Sequence, residues 1–240
     1  MSAERGKGKK MKRIISILII AAMSFALVGC GGAKPEILGV YETRIDLTDI
    51  IAEEFDRETG VGDILSIADY MDKCEIVVIH SFNEDGTYSQ NVDESSVETS
   101  VENIKQAAVL FMNDLAVYIF VEQFKAIGFE VNSKEDVEAL LGMSIEDAFY
   151  SSTGTDLETM VIQLVDESFD IETMASENLS SGKYKAEGGK LYMSASLDTD
   201  YNEEFYETYT IEGDVVTVDS GNLAADQEIL SYPFTMVKVG

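Results

Sequence analysis

CEIVVIHSFNEDGTYSQNV, residues 74–92, holds a strand, a turn and a returning strand. Cys74 to Phe82 is rich in β-branched residues, which suit the crowded interior of a sheet, and it reads as a central strand. Asn83-Glu84-Asp85-Gly86 follows. An Asp-Gly pair between two strand-like runs predicts a hairpin, because glycine accepts the positive φ that a tight turn needs. Thr87 to Val92 then returns with Tyr88, Gln90 and Val92 on one side.

Outward from this hairpin the chain keeps the same alternation on both flanks. Upstream, Tyr41, Thr43, Ile45 and Leu47 point one way, while Val40, Glu42, Arg44 and Asp46 point the other, the period of a half-buried strand. Thr48–Phe55 reads as helical, and Ile64–Met71 as a further helical turn or two. Downstream, Gly182–Glu187 and Lys190–Ser194 flank a Gly188-Gly189 turn. Glu207–Ile211 and Val215–Val218 flank Glu212-Gly213-Asp214, and Pro233–Val239 closes as a last strand. Between the β segments the character changes. From Ser95 neither glycine nor proline occurs until Gly128, which suits a helix C-cap. Val97, Val101, Ile104, Ala108, Phe111, Leu115 and Tyr118 recur at helical spacing. Between Ala107 and Val121 the strongly polar residues are Asn113 and Asp114, so helix 95–128 is apolar nearly all round. Such a helix is buried on several sides or meets another surface, and the short, charge-bearing apolar stretch argues against a membrane span. Ser133 and Ser144 each precede an aspartate by three residues, the pattern of an N-cap, and Asp156 opens a helix to about Phe169. Ile171–Leu179 is read as a final helix. Strands, then a helical block, then strands make an α+β fold: an antiparallel β-sheet or barrel interrupted by a helical insertion at about 95–180.

Three strand starts share a pattern, Gly39-Val-Tyr41, Gly86-Thr-Tyr88 and Gly182-Lys-Tyr184. With Phe82–Tyr88 and the Tyr209–Val218 hairpin they resemble the small lipocalin-like β-domains of bacterial lipoproteins. The resemblance covers the two β segments, about half of the mature chain, and its motifs are turn glycines and core aromatics, which speak of fold. The helical block departs from a plain eight-stranded barrel, and the long helix is a candidate to fill the space a ligand would take.

The N-terminus carries an address. Lys12 and Arg13 precede an apolar run from Ile14 to Val28 that ends in Leu27-Val28-Gly29-Cys30. A charged start, an apolar middle and a small-residue site are the parts of a secretory signal, and the run is shorter than a spanning helix. Leu27–Cys30 resembles the bacterial lipobox. That resemblance implies a diacylglycerol or palmitate-type lipid on Cys30 and cleavage before it. The protein would then be held by the lipid on the extracytoplasmic face of the cell membrane. Residues 1–29 are then the signal peptide, 30–36 a lipidated tether, and 37–240 the lipocalin-like domain. A start at Met11 would give a more compact signal.

Composition narrows the partners. Residues 1–29 hold six of the 17 basic and one of the 45 acidic residues, leaving 11 basic and 44 acidic, a net of −33. Such a surface repels nucleic-acid phosphates, so no nucleic acid is expected, and it repels anionic headgroups, so acyl chains must hold the protein to the membrane. With Cys30 acylated, Cys74 has no intramolecular partner.

Catalytic signals are sparse. The lone histidine, His80, sits on an apolar strand without marked partners for a triad or a metal, and reads as structural. Cys74 reads as a small buried residue. Asp198-Thr-Asp200-Tyr-Asn202 follows the first half of a calcium loop, but Glu203 stands where the turn glycine belongs and Tyr209 where the bidentate glutamate belongs. Glu203, Glu204 and Glu207 could supply oxygens to a looser site in loop 198–207. There is no tryptophan to stack on a sugar ring, and Gly188-Gly189 lacks the Gly-Lys-Ser/Thr of a phosphate loop. The expectation is therefore a non-enzymatic binding or envelope-interaction module with no cofactor, no metal and no catalytic residue. Its partners are the membrane through Cys30, an unknown small molecule or protein, and a second copy through helix 95–128. Two other classes stay open, a transporter's solute-binding lipoprotein and a calcium- or carboxylate-dependent extracellular hydrolase.

Overall fold

The computed structural model describes residues 36–168, 180–194, 196–221 and 232–239, so Cys30 and the helix expected at Ile171–Leu179 lie outside the described residues. The chain divides into two compact units. One takes the residues up to Ile45, Glu75–Glu98 and the C-terminal part; the other takes Asp46–Cys74 and Thr99 onward to Phe169.

The first unit is a closed antiparallel barrel of eight strands in sequence order. They are β1 (Gly39–Asp46), β2 (Glu75–Phe82), β3 (Thr87–Val92), β4 (Ser180–Glu187), β5 (Lys190–Met193), β6 (Glu207–Glu212), β7 (Val215–Gly221) and β8 (Phe234–Lys238). β8 returns to β1 by pairing Tyr41 with Lys238 and Glu42 with Val237. Closure leaves no edge strand exposed, which is why each strand can be short. Gly86, with φ +78, turns the opening hairpin, where the Asn83 N–H donates to the Thr87 carbonyl at 2.9 Å.

The alternation read from the sequence is the barrel's inside and outside. Tyr41 and Thr43, Phe82, Tyr88 and Gln90, Tyr184 and Tyr209 are all buried. The core is Ile37, Tyr41, Phe82, Tyr88, Tyr184, Ala186, Leu191, Met193, Tyr209, Val216, Val218 and Met236, every one a barrel residue. Among the described residues this cluster is built by strand side chains together with Ile37, just before β1. Phe82 organises the core, with its ring edge-on to Tyr184 at 4.9 Å and to Tyr41 at 5.9 Å. Each phenol that enters the core reaches a main-chain oxygen or a carboxylate, as a buried hydroxyl must. Tyr88 donates to Ser194 O, Tyr184 to Ile37 O, and Tyr209 to the Glu36 carboxylate.

The second unit is helical among its described residues: α1 (Thr48–Thr59), a short 3₁₀ turn (Ile67–Asp69), α2 (Glu94–Ala126, whose first turn lies in the other unit), α3 (Lys134–Leu141), α4 (Ile145–Thr153) and α5 (Leu157–Ser168). The Asp46–Cys74 segment joins the insertion here, an association the sequence reading did not make. The caps are where the sequence places them. Ser133 Oγ accepts from Asp136 N at 3.2 Å, Ser144 Oγ from Asp147 N at 3.0 Å, and Asp156 Oδ1 from Thr159 N at 2.7 Å.

α2 has 33 residues and is, by length and composition, apolar enough to cross a membrane, a test that the core helix of a soluble protein passes as well. Its early residues Val97, Val101, Ile104, Ala107, Ala108 and Phe111 are buried. Phe111 lies edge-on to Phe55 of α1 at 5.2 Å and to Tyr70 at 6.2 Å. Beyond Phe111 burial moves round the helix. Val121 joins Val137 of α3 and Ile145 of α4, with Ala116, Val117, Phe120 and Phe124 packed alongside. At about 100° per residue these lie roughly opposite the earlier buried face. Two successive halves bury opposite sides, and that is why the sequence looks apolar all round.

Candidate functional site

The pair next to the first hairpin turn, Phe82 and Tyr88, is aromatic, and the next pair inward is polar. His80 pairs with Gln90, and Gln90 with Ser180. Ser180 donates its hydroxyl to Gln90 Oε1 at 2.8 Å, which turns the amide nitrogen to His80 Nδ1 at 3.0 Å. The imidazole proton is then on Nε2, which donates to Thr43 Oγ1 at 3.0 Å. A directional chain of hydrogen bonds thus crosses β4, β3, β2 and β1. His80 is 4% exposed and stacked near Phe82. Burial pushes its pKa down to about 4, so the ring is neutral at pH 7. Both ring nitrogens are committed, so the ring has no lone pair free for a metal or a substrate proton, in keeping with the structural role read from the sequence.

Cys74 is fully buried, its Sγ 3.7 Å from Ser100 O, and burial raises the thiol to about 11. A thiol held protonated in this way is no nucleophile.

Glu207 is a group that the sequence reading missed in this role, having considered it only as a calcium ligand. It opens β6, opposite Leu191 and Gly221. It is 4% exposed, and its Oε1 accepts from the Tyr232 hydroxyl at 2.7 Å. Burial pushes its pKa up to about 7 while that hydroxyl pulls the other way. Gly221 makes room for Tyr232, since a Cβ there would sit 2.4 Å from the phenol oxygen. The signal that could have found Glu207 was its period-two relation to inward-facing Tyr209. As it stands, the carboxyl is an enclosed proton-holding group, not a general acid open to substrate.

The acidic loop 198–207 is tied to lysines and aromatics. Asp200 pairs with Lys183 at 2.8 Å and Glu203 with Lys185 at 3.8 Å. Tyr192 stacks on Tyr201 at 5.7 Å and meets Tyr206 at 5.9 Å, and Lys190 lies 3.9 Å over the Tyr206 ring. Among the described residues no three His, Cys, Asp or Glu side chains converge as a metal-holding group.

The apolar surface is unevenly shared. Of sixteen large apolar side chains exposed among the described residues, eleven belong to the helical unit, among them Leu110, Tyr118, Ile119, Phe129 and Tyr150. A shallow depression of about 410 Å³ runs along α5 past Thr159, Ile162, Gln163, Asp166 and Glu167. Among the described residues the two units are a barrel and a set of helices. The chain matches no protein-family model, no curated protein and no solved structure.

Proposed function

We propose that this chain is a membrane-anchored extracytoplasmic lipoprotein and a non-enzymatic binding or envelope-interaction module. Its barrel, which we read as lipocalin-like, is a scaffold and not a ligand chamber. The observation that carries the reading is the concentration of exposed apolar side chains on the helical unit, together with a barrel core of aromatic and aliphatic side chains. Contact with a partner then falls on outer surfaces, where apolar side chains gathered on one unit favour association. The lipobox resemblance of Leu27–Cys30 supplies the anchor.

Two measurements test this. Cell fractionation and intact mass compare the wild type with Cys30→Ala: wild type is expected in the membrane with an added acyl mass, and the variant without either. Retention unchanged by the substitution refutes the anchor. Native mass spectrometry of residues 34–240 purified from the native host tests the module. A dimer or a protein adduct lost in Ile119→Asp supports surface binding. A small molecule released only on unfolding, which means an occupant of the barrel interior, overturns it.

A further inference from the structure

The described chain begins pinned to one particular end of the barrel. The Glu36 N–H donates to Ala186 O at 3.3 Å, and the Glu36 carboxylate accepts from the Tyr209 hydroxyl and from Gly188 N. Ile37 is fully buried, and its carbonyl accepts from the Tyr184 hydroxyl, which also reaches Asn83 O. Gly188 lies in the β4–β5 turn and Asn83 in the β2–β3 turn. The β6–β7 turn is at the same end, where Lys238 N donates to Asp214 O and Val239 N to Val40 O. Every loop that leaves toward the helical segments starts from the opposite end, after β1 and after β3.

We propose that the tight-turn end is the barrel's membrane-facing surface, and that its acidic rim keeps the barrel off an anionic bilayer. The proposal rests on the lipid anchor at Cys30. Six peptide steps separate Cys30 from the pinned Glu36, which limits the reach to about 20 Å whatever their conformation. The three turns and Glu36 present six carboxylates there: Glu36, Glu84, Asp85, Glu187, Glu212 and Asp214. Lys190 and Lys238 stand nearby, over the rings of Tyr206 and Tyr41, and Lys185 pairs with Glu187 at 2.8 Å, so three ammonium groups face six carboxylates and the end keeps a net negative charge. Hydrogen bonds to Thr87 hold the Asp85 carboxyl below its usual range, and those to Tyr209 and Gly188 do the same for Glu36. Both are therefore charged at neutral pH. An anionic leaflet repels such a rim over a screening length of about 30 Å at 10 mM salt and about 8 Å at 150 mM. The lipid pulls this end down, and the rim sets how close it comes.

The test couples the anchor chemically, so that it stands apart from whether the cell acylates Cys30. Residues 30–240 are joined through the Cys30 thiol to a maleimide lipid in phosphatidylcholine vesicles; Cys74 is fully buried and stays unreactive. A dye on an azide-bearing residue at Glu84 or Glu212 reports one end, and at Ser181 or Asp219 the other, by energy transfer to a trace acceptor lipid. By register the two labels of each pair stand about four strand residues, about 13 Å, apart along the barrel wall, so transfer from the turn end is expected to be the higher. Adding phosphatidylglycerol at 10 mM salt should lower transfer from the turn end. Raising salt to 300 mM, or the triple variant E84Q/E212Q/D214N, should restore it. Equal transfer from both ends, or the reverse order, overturns the orientation. Transfer unchanged by phosphatidylglycerol at low salt overturns the acidic stand-off.

Discussion

Gly182 lies in ordinary extended backbone, yet the barrel wall leaves no room there for a side chain. The Tyr88 ring crosses β4 at this point to donate to Ser194 O at 2.6 Å, and Ser194 Oγ accepts from Lys183 N at 2.6 Å. A Cβ on Gly182 would sit 2.2 Å from Ser194 O and 2.8 Å from a Tyr88 ring carbon. Gly182→Ala should therefore cost about 3 kcal/mol, because a backbone atom and a packed ring must both move. Gly86→Ala meets Tyr184 O at an ordinary 3.6 Å and should cost only the 1–2 kcal/mol or so of a strained turn. Urea titrations followed by tyrosine near-ultraviolet dichroism would compare them, and a Gly182→Ala loss no larger than that of Gly86→Ala would refute the close-approach account. The sequence made part of this legible. The repeated Gly-x-Tyr pattern places three tyrosines inside the barrel, since the turn fixes where each strand starts and alternation fixes which way it faces. It did not separate a glycine kept for φ, as at Gly86, from one kept for room, as at Gly182. That second reason lies with Ser194, twelve residues on, and Tyr88, far back in the chain.

α2 shows the same division for an element. The two helices that follow it were legible, since Ser133 and Ser144 announce the starts of α3 and α4 through the aspartates three residues on. Ser144→Ala should cost about 1 kcal/mol for that reason, read as a loss of stability at constant denaturant slope. The face that α2 buries was not legible. The stripe from Val97 to Tyr118 looks continuous, but its members are buried only to Phe111, and Tyr118 is 38% exposed. In a helix apolar on all sides the periodicity no longer chooses a face, and the choice passes to neighbours distant in sequence, Phe55 and Tyr70 for the first half and Val137 and Ile145 for the second. Phe111→Ala should therefore lose about 3–5 kcal/mol. Tyr118→Ala, one helix face and seven residues further on, should lose about 1 kcal/mol or less. Far-ultraviolet dichroism during urea unfolding reads both, and equal losses would mean that the single stripe of the sequence, not the reversal, describes the packing.

At the scale of the molecule, the two β segments and the helical block were legible because turn glycines and alternation are local signals. Closure into a barrel and the recruitment of Asp46–Cys74 to the helical unit were less so, because both are contacts between distant parts of the chain. The same is true of protonation, which joins β1–β4 to β6 and Tyr232. His80 falls from an ordinary value near 6.5 to about 4, so between those pH values the unfolded chain binds a proton that the folded barrel refuses, and stability drops as pH falls. Glu207 rises from 4.5 to about 7, so the folded barrel holds a proton that the unfolded chain releases, and stability drops as pH rises through that range. Each shift amounts to about 3 kcal/mol at its far side, and between pH 4.5 and 6.5 the two slopes oppose each other. Removing one group should expose the other. Relative to wild type, Glu207→Gln should gain about 3 kcal/mol on going from pH 4.5 to 8, while His80→Gln should gain a similar amount on going from pH 7 to 4. The remaining carboxylates are common to all three proteins and cancel in the differences. Urea unfolding at half-unit pH steps, followed by tyrosine dichroism, measures the three curves. If the differences from wild type are flat with pH, neither group is held in the protonation state that burial assigns to it. If only Glu207→Gln shows its slope, the carboxyl is enclosed but the Thr43–His80–Gln90–Ser180 chain opens to water near neutral pH.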